Sequence, residues 1–398
     1  MKTKKLWLSL VLVLVLGLLL SACSGGSDDD SSQDQNTNQE STDTSTDTND
    51  ADEAEGSAQG GTLHFAFNAQ LPTLDPTGTT ATATRDVVRN IFEQLVTFDS
   101  NMEVQPMLAE SFEIDEENNT VTFHLRQGVL FHNGEEMKAD DVVASMEKWA
   151  AESAQAKSFL AGVTFEEVDD YTVVAHLEKT GSLDMYIFAD VTQIAAIMPK
   201  EVVENIGEDG LTEYIGTGPY KFEEWKQDQY IKLVKFEDYQ GLDTPSDGLT
   251  GKKEANVEEI YFHFVTDPST RVAGLQSGEY HLGNFIPHDS AEQLKANENV
   301  ELLPEINSFP GFVFNKKAGV FADIKARQAV AAALDLEEIM MAAYGSDEFY
   351  TLSHELALEH QTAWYTDAGK EYYNQKDLEK AKQLLAESSY NGEDVRIL

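Results

Sequence analysis

From Ser24 to Gln59 the chain has no leucine, isoleucine, valine, methionine or aromatic residue and no lysine or arginine, while eleven of its side chains are Asp or Glu. Such a segment cannot bury enough apolar surface to offset the entropy of ordering it, and like charges keep it extended. It reads as a tether, and it lacks the fixed ligand spacing of a metal-binding tail. A folded body has to come from Gly60 onward. The whole chain has 398 residues, room for two or three domains, and its 41% hydrophobic and 10% aromatic content supports packed cores. A formal charge of −43 argues against nucleic acid or an anionic lipid surface as a partner of that body.

Ahead of the tether, Lys2, Lys4 and Lys5 precede an apolar stretch from Leu6 to Leu20, then Ser21 and Ala22 stand before Cys23, the single cysteine. One cysteine cannot form an internal disulfide, so its position decides its role. A charged n-region, a short apolar run and small residues make a secretory signal, and the run is shorter than the roughly 20 residues of a membrane-spanning helix, which is the competing reading. Leu20-Ser21-Ala22-Cys23 resembles a bacterial lipobox. That resemblance implies cleavage before Cys23, diacylation there, and stable attachment through two acyl chains. The expectation is a signal peptide over 1–22 and a lipidated tether over 23–59, exported and held on the outer face of the cytoplasmic membrane.

Within the body, alternation predicts strands at Thr62–Phe67, Val121–Leu125, Thr172–Leu177, Tyr230–Phe236 and Glu259–Val265. Helical spacing of Val87, Val88, Ile91, Phe92 and Leu95 predicts a helix from about Thr84 to Thr97, and further helices are expected at Ile324–Tyr344 and Asp377–Ala386. Asp140 and Asp141 can cap a helix that turns Val142, Val143, Met146 and Trp149 inward. His132-Asn133-Gly134 is expected to turn with Asn133 at positive φ. The order is neither a regular βαβ succession nor strands alone, and predicts mixed α/β sheets with helices distributed among domains.

Catalytic motifs are missing. There is no Gly-x-Ser-x-Gly elbow, and the cysteine lies outside the body. Gly216-Thr217-Gly218 is followed at once by Pro219, so it reads as a tight turn rather than a phosphate loop. His354 and His360 are six apart, not the four that would place both on one helical face around a metal. The pairs Glu166-Glu167 and Asp169-Asp170 read as solvated loop charges. No enzyme activity, metal site or cofactor is expected.

Many short motifs nevertheless occur in one order: Leu74-Asp75-Pro76, Asn90-Ile91-Phe92-Glu93-Gln94-Leu95-Val96, Pro106-Met107-Leu108-Ala109-Glu110-Ser111-Phe112, Phe123-His124-Leu125-Arg126-Gln127-Gly128-Val129, Phe131-His132-Asn133-Gly134, Ala139-Asp140-Asp141-Val142, Gly216-Thr217-Gly218-Pro219-Tyr220, Leu275-Gln276-Ser277-Gly278-Glu279 and Arg327-Gln328-Ala329-Val330. From Gly60 to its last residue the chain resembles the family 5 solute-binding proteins, the extracytoplasmic peptide and nickel receptors of ABC importers. The resemblance implies a two-lobed, type II periplasmic-binding-protein-like fold: lobe I from 60–104 and 211–305, a small inserted domain over 105–210, and lobe II from 306–398. Family members run about another hundred residues, so the expectation is an incomplete second lobe and an isolated chain of poor stability.

The implied function is capture of a small molecule or short peptide in the cleft between lobes and delivery to permease subunits with their ATPases, by a monomer that takes no nucleic acid. Chelated nickel, glutathione or oligosaccharide are alternative cargoes on the same scaffold, and a surface structural or adhesion lipoprotein is the alternative of another class. The ligand-facing residues implied by position are Thr79, Thr80, Phe159, Phe309 and Phe312.

Overall fold

A computed structural model describes residues 60–208, 210–304, 311–355, 357 and 365–396. Cys23, the signal and the tether, and also Phe309 and His360, lie outside the described residues.

The alternation at the start of the body forms β1 (Thr62–Phe67), followed by a loop anchored by fully buried Leu74 and a short helix α1 (Thr82–Val88). The predicted longer helix does not form. Asn90 folds its amide back onto the Asp86 and Val87 carbonyls, and the Asn90 and Ile91 carbonyls accept from Tyr220 and Gly218 N–H. The chain then runs extended into β2 (Val96–Phe98), paired with β3 (Val104–Pro106). The five apolar residues that suggested the helix are all buried, but they divide between two cores.

Next come β4 (Ala109–Asp115), β5 (Thr120–Leu125), α2 (Ala139–Glu152), α3 (Ala154–Phe159), β6 (Thr164–Asp169) and β7 (Thr172–His176). The strands make an antiparallel sheet in the order β4-β5-β7-β6. Glu166, Glu167 and Asp169 are exposed residues of β6 rather than of a loop, because Phe165 reaches the core and the segment pairs in register with β7. Helix α2 closes one face with Val142, Met146 and Trp149, the indole donating to the Gln193 carbonyl at 2.9 Å. Asp141 caps it by accepting the Lys138 N–H, and its other oxygen accepts the Lys200 N–H.

After α4 (Asp184–Phe188) and α5 (Lys200–Glu204) the chain enters a second sheet through β8 (Tyr220–Lys226), β9 (Tyr230–Lys235) and β10 (Glu259–Phe264), then α6 (Pro268–Ser277) and β11 (Leu282–Gly283). The sheet order is β11-β1-β10-β9-β8, with β1 parallel to both β10 and β11. Ile231, Leu233, Ile260 and Phe262 point to a core shared with Phe67, Ile91 and Phe92.

Beyond α7 (Ala291–Lys295), the predicted helix at 324–344 is two helices, α8 (Ile324–Ala333) and α9 (Leu336–Tyr344), and α10 (Leu378–Ala386) follows. The break has a local cause: Asp335 is a better cap than a helix interior residue and accepts the Glu338 N–H at 3.1 Å. The groups freed at the break are taken by the chain near α10, where Asp377 N–H donates to the Ala332 carbonyl and Asn374 Oδ1 accepts the Leu336 N–H.

The two sheets meet where Gly216-Thr217-Gly218 lies against Asn90–Ile91. A Cβ on Gly216 or Gly218 would overlap the Ile91 or Asn90 carbonyl oxygen, so glycine is required by close approach. Glu93 is buried there and accepts from Thr217 Oγ1 at 3.0 Å, Tyr239 OH at 2.8 Å and Lys253 Nζ at 3.1 Å. Burial first, and then the Glu93 charge, push the Tyr239 hydroxyl well above its ordinary range.

His132 belongs to the same contact. Its Nε2 donates to the Gly218 carbonyl at 2.9 Å while Nδ1 accepts the Gly216 N–H at 3.3 Å. In the turn itself positive φ falls on Gly134 alone, and Asn133 contributes instead a side-chain oxygen that accepts the Glu135 N–H. Burial holds the His132 imidazole down at about 4.

The unfolded chain, with an imidazole near 6.5, therefore binds a proton the folded chain refuses. The stability from this group is complete above about pH 6.5 and is lost as pH falls towards 4, an effect of roughly 3 kcal/mol. Urea midpoints between pH 8 and 4 are expected to show this loss, with His132→Gln reducing the slope; parallel profiles for the two proteins would refute the assignment.

Candidate functional site

Because β1, β10 and β11 run in the same direction, their carboxyl ends emerge together at one edge of the sheet. In open sheets with parallel strands, ligands bind outside those ends. The edge is built from Asn68, from Val265 and Thr266, and from Asn284 and Phe285. The Asn284 side-chain oxygen accepts the Asn68 N–H at 2.9 Å, so β11, only two residues long, is extended by a side chain. Among the described residues the Asn284 amide nitrogen donates to no partner.

Arg271 of α6 is 4% exposed and holds this edge from behind. Its guanidinium donates to the carbonyls of Val265 at 2.7 Å, Thr266 at 3.2 Å, Asn284 at 3.1 Å and Phe285 at 2.8 Å. These carbonyls lie past the strand ends, where ladder partners run out, and a rigid fork satisfies all of them. Burial pulls its pKa down while Asp267 opposes the shift. Phe285 sits at φ 48°, a conformation costly for a bulky residue, and the residue is 66% exposed.

The loop from β1 to α1 is fixed by a polar cluster. Lys148 of α2, with a side chain 6% exposed, donates to both Asp75 oxygens at 3.1 and 3.2 Å, to Glu152 at 2.6 Å and to Thr77 Oγ1. Burial alone would raise the Asp75 carboxyl; the Lys148 ammonium and the Thr77 donors more than offset it and hold it below the carboxylate range. Gln193 adds a bond from Nε2 to the Thr77 carbonyl at 2.7 Å. Beyond this anchor Thr79 is half-buried, accepting the Ala81 N–H on Oγ1, and Thr80 is exposed.

The residues singled out in sequence are thus placed as follows. Thr79 and Thr80 ride on the stapled loop, Phe159 ends α3 with 57% of its surface exposed, and Phe312 is 58% exposed. These four share no hydrogen bond or ring contact with one another. Asn68, Arg271, Asn284 and Phe285 were not found by pattern reading. The signal for them is the parallel pairing of β1 with β10 and β11, which only long-range contacts define.

A cavity of about 670 Å³ lies elsewhere, lined by Asp99, Gln105, Arg126, Leu242, Asp247 and Thr250. Its central polar groups are already committed to the fold: Arg126 donates to the carbonyls of Met107, Gln240 and Gly241, and Asp99 accepts from Asn101, Glu103 and Gln105. Among the described residues no three ligating side chains converge on a metal position, and no helix is long and apolar enough to cross a membrane. His354 uses Nε2 on the Thr366 carbonyl at 3.0 Å.

Residues 103–398 match the family model of bacterial extracellular solute-binding proteins, family 5 middle. The chain is 28% identical over 357 residues to a probable peptide ABC transporter periplasmic-binding protein of Sinorhizobium fredii, covering 85% of this chain and 64% of the relative. It is 29% identical over 354 residues to the oligopeptide-binding protein AppA of Bacillus subtilis, covering 85% and 61%. The structure of AgaA from A. tumefaciens R10 in complex with agropinic acid superposes with a TM-score of 0.71 at 28% identity, covering 83% of this chain and 65% of that one. The chain spans less than two thirds of the length of these relatives. The mixed α/β architecture is that of type II periplasmic binding proteins.

Lys148→Met leaves the half-buried Asp75 carboxylate without its cation and is expected to cost about 3 kcal/mol in urea denaturation. Asp75→Asn in the same chain is expected to restore about 1 kcal/mol or more, as groups in direct contact do. Strict additivity of the two changes would show that the pair is not coupled.

Proposed function

The chain belongs to the bacterial extracellular solute-binding proteins of family 5, and from that membership we propose that it is the receptor of an ABC importer, a binding protein rather than an enzyme, that captures short peptides outside the cytoplasm and delivers them to a permease. The carrying observation is the edge where β1, β10 and β11 end together, with the Asn284 amide donors uncommitted among the described residues and Phe285 exposed. A peptide offers carbonyl acceptors at every residue and apolar side chains between them, which is the complement of that edge. Support also comes from the two relatives that carry peptide-binding names.

In this reading 60–104 and 211–305 form lobe I, 105–210 the inserted domain, and 306–398 part of lobe II. Ligand lies between the lobes, with Thr79, Thr80, Phe159, Phe309 and Phe312 contributing walls. A ligand touching both lobes binds the closed form better than the open one and shifts the population by that difference, and the permease reads the closed form. Cys23 carries the lipid and residues 24–59 give the body reach.

Native mass spectrometry of the protein purified from its host is expected to find co-purifying peptide masses; an opine or a metal chelate in their place would overturn the peptide reading. Phe285→Ala is expected to weaken peptide binding by about tenfold, or ~1.4 kcal/mol, with unchanged circular dichroism. Cys23→Ser is expected to move the protein from the membrane to the soluble fraction without altering its affinity, and retention on the membrane would exclude the lipid anchor.

A further inference from the structure

The face of the five-stranded sheet opposite its core carries an imidazole pair. His64 of β1 and His263 of β10 are diagonal neighbours across the parallel register, with His64 Nδ1 and His263 Nε2 2.9 Å apart. Their ring centroids are 5.1 Å apart. Both rings are held in place. His281 accepts the His64 backbone N–H on its own Nδ1 at 3.1 Å, and Tyr261 stacks on His263 with an interplanar angle of 15°. Tyr280 and Tyr230 flank His263 at 5.5 and 6.0 Å. The nearby charges are Lys232 and Glu259, paired with each other at 2.8 Å, and Glu279 beside His263. Burial, and then the neighbouring His64, hold His263 below the ordinary imidazole value.

Two imidazole nitrogens facing one another at 2.9 Å are a donor pair suited to a borderline divalent metal. With metal–nitrogen bonds of about 2.05 Å, a separation near 2.9 Å corresponds to an angle of about 90° at the metal, whereas a tetrahedral centre would need about 3.3 Å. We infer that His64 and His263 form a two-histidine site for Cu²⁺ or Ni²⁺ on the outer face of the sheet. Square-planar and octahedral ions fit this spacing, and zinc fits it less well.

On binding, the hydrogen between the rings moves to the far nitrogen of the ring that donated it, so a pair carrying one hydrogen on each ring gives up no proton. Water completes the coordination sphere, since no third ligating side chain converges there among the described residues. His281 is committed to the backbone and acts by orienting His64. The site is distinct from the proposed solute edge: His64 stands four residues before Asn68, roughly 13 Å along the strand.

The test is electron paramagnetic resonance of the full chain, cleared of metal by chelator and given one equivalent of CuCl₂ at pH 7.5. The expected wild-type spectrum shows two coupled nitrogens. His64→Gln and His263→Gln are each expected to lose that two-nitrogen signal, and His176→Gln, which alters the exposed pair with Glu166, is expected to keep it. A wild-type spectrum with only oxygen donors, as the abundant carboxylates would give, overturns the site whether or not the variants fold. So does a two-nitrogen signal that survives in either folded variant. NiCl₂ is expected to raise the melting temperature more than ZnCl₂ at equal concentration; the reverse order would contradict the 90° geometry.

Discussion

Two segments that lie 124 residues apart in the chain, measured from Glu93 to Thr217, press backbone to backbone, and the body is organised around that contact. Gly216 and Gly218 have no side chain because the Ile91 and Asn90 carbonyls occupy the space. Around this contact one buried carboxylate gathers a hydroxyl, a phenol and an ammonium, and one buried imidazole bridges an amide and a carbonyl. In a low dielectric each of these polar groups would be costly alone, and together they are satisfied. The apolar residues on either side then fill two separate cores, one under the antiparallel sheet and one under the mixed sheet.

The candidate edge inherits its rigidity from that arrangement. Lys148 draws the β1–α1 loop onto α2, so the loop is held by the same helix that closes the antiparallel sheet. Arg271 does the equivalent for the ends of β10 and β11, spending a buried cation on carbonyls that the sheet no longer pairs. A receptor that discriminates open from closed forms gains from such stiffness, because a ligand can shift a population only through contacts that differ between the two forms.

Strands were legible where one face is buried and the other wet, as in β1, β5, β7, β9 and β10, because a period of two survives any tertiary context. The same reasoning overextended α1 and joined α8 to α9. In the first case apolar spacing was real but served two cores, and in the second Asp335 outweighed the periodic run. For the candidate site, Thr79 and Thr80 were named only by position in the family resemblance, and the structure places them on the loop between β1 and α1. Asn68, Asn284 and Phe285 were not legible, since nothing local marks a residue as standing at the end of a parallel strand.

The sequence by itself determined that residues 24–59 cannot form a core, that a mixed α/β body begins near Gly60, and that its ordered motifs are those of a solute-binding family. These follow from composition, alternation and order, which are properties of neighbouring residues. Tertiary structure alone decided which strands run parallel, why Gly216 and Gly218 are glycines, and that His64 and His263 face each other. Those outcomes depend on pairings between segments far apart in the chain, whose energy comes from backbone approach and burial that no local window contains.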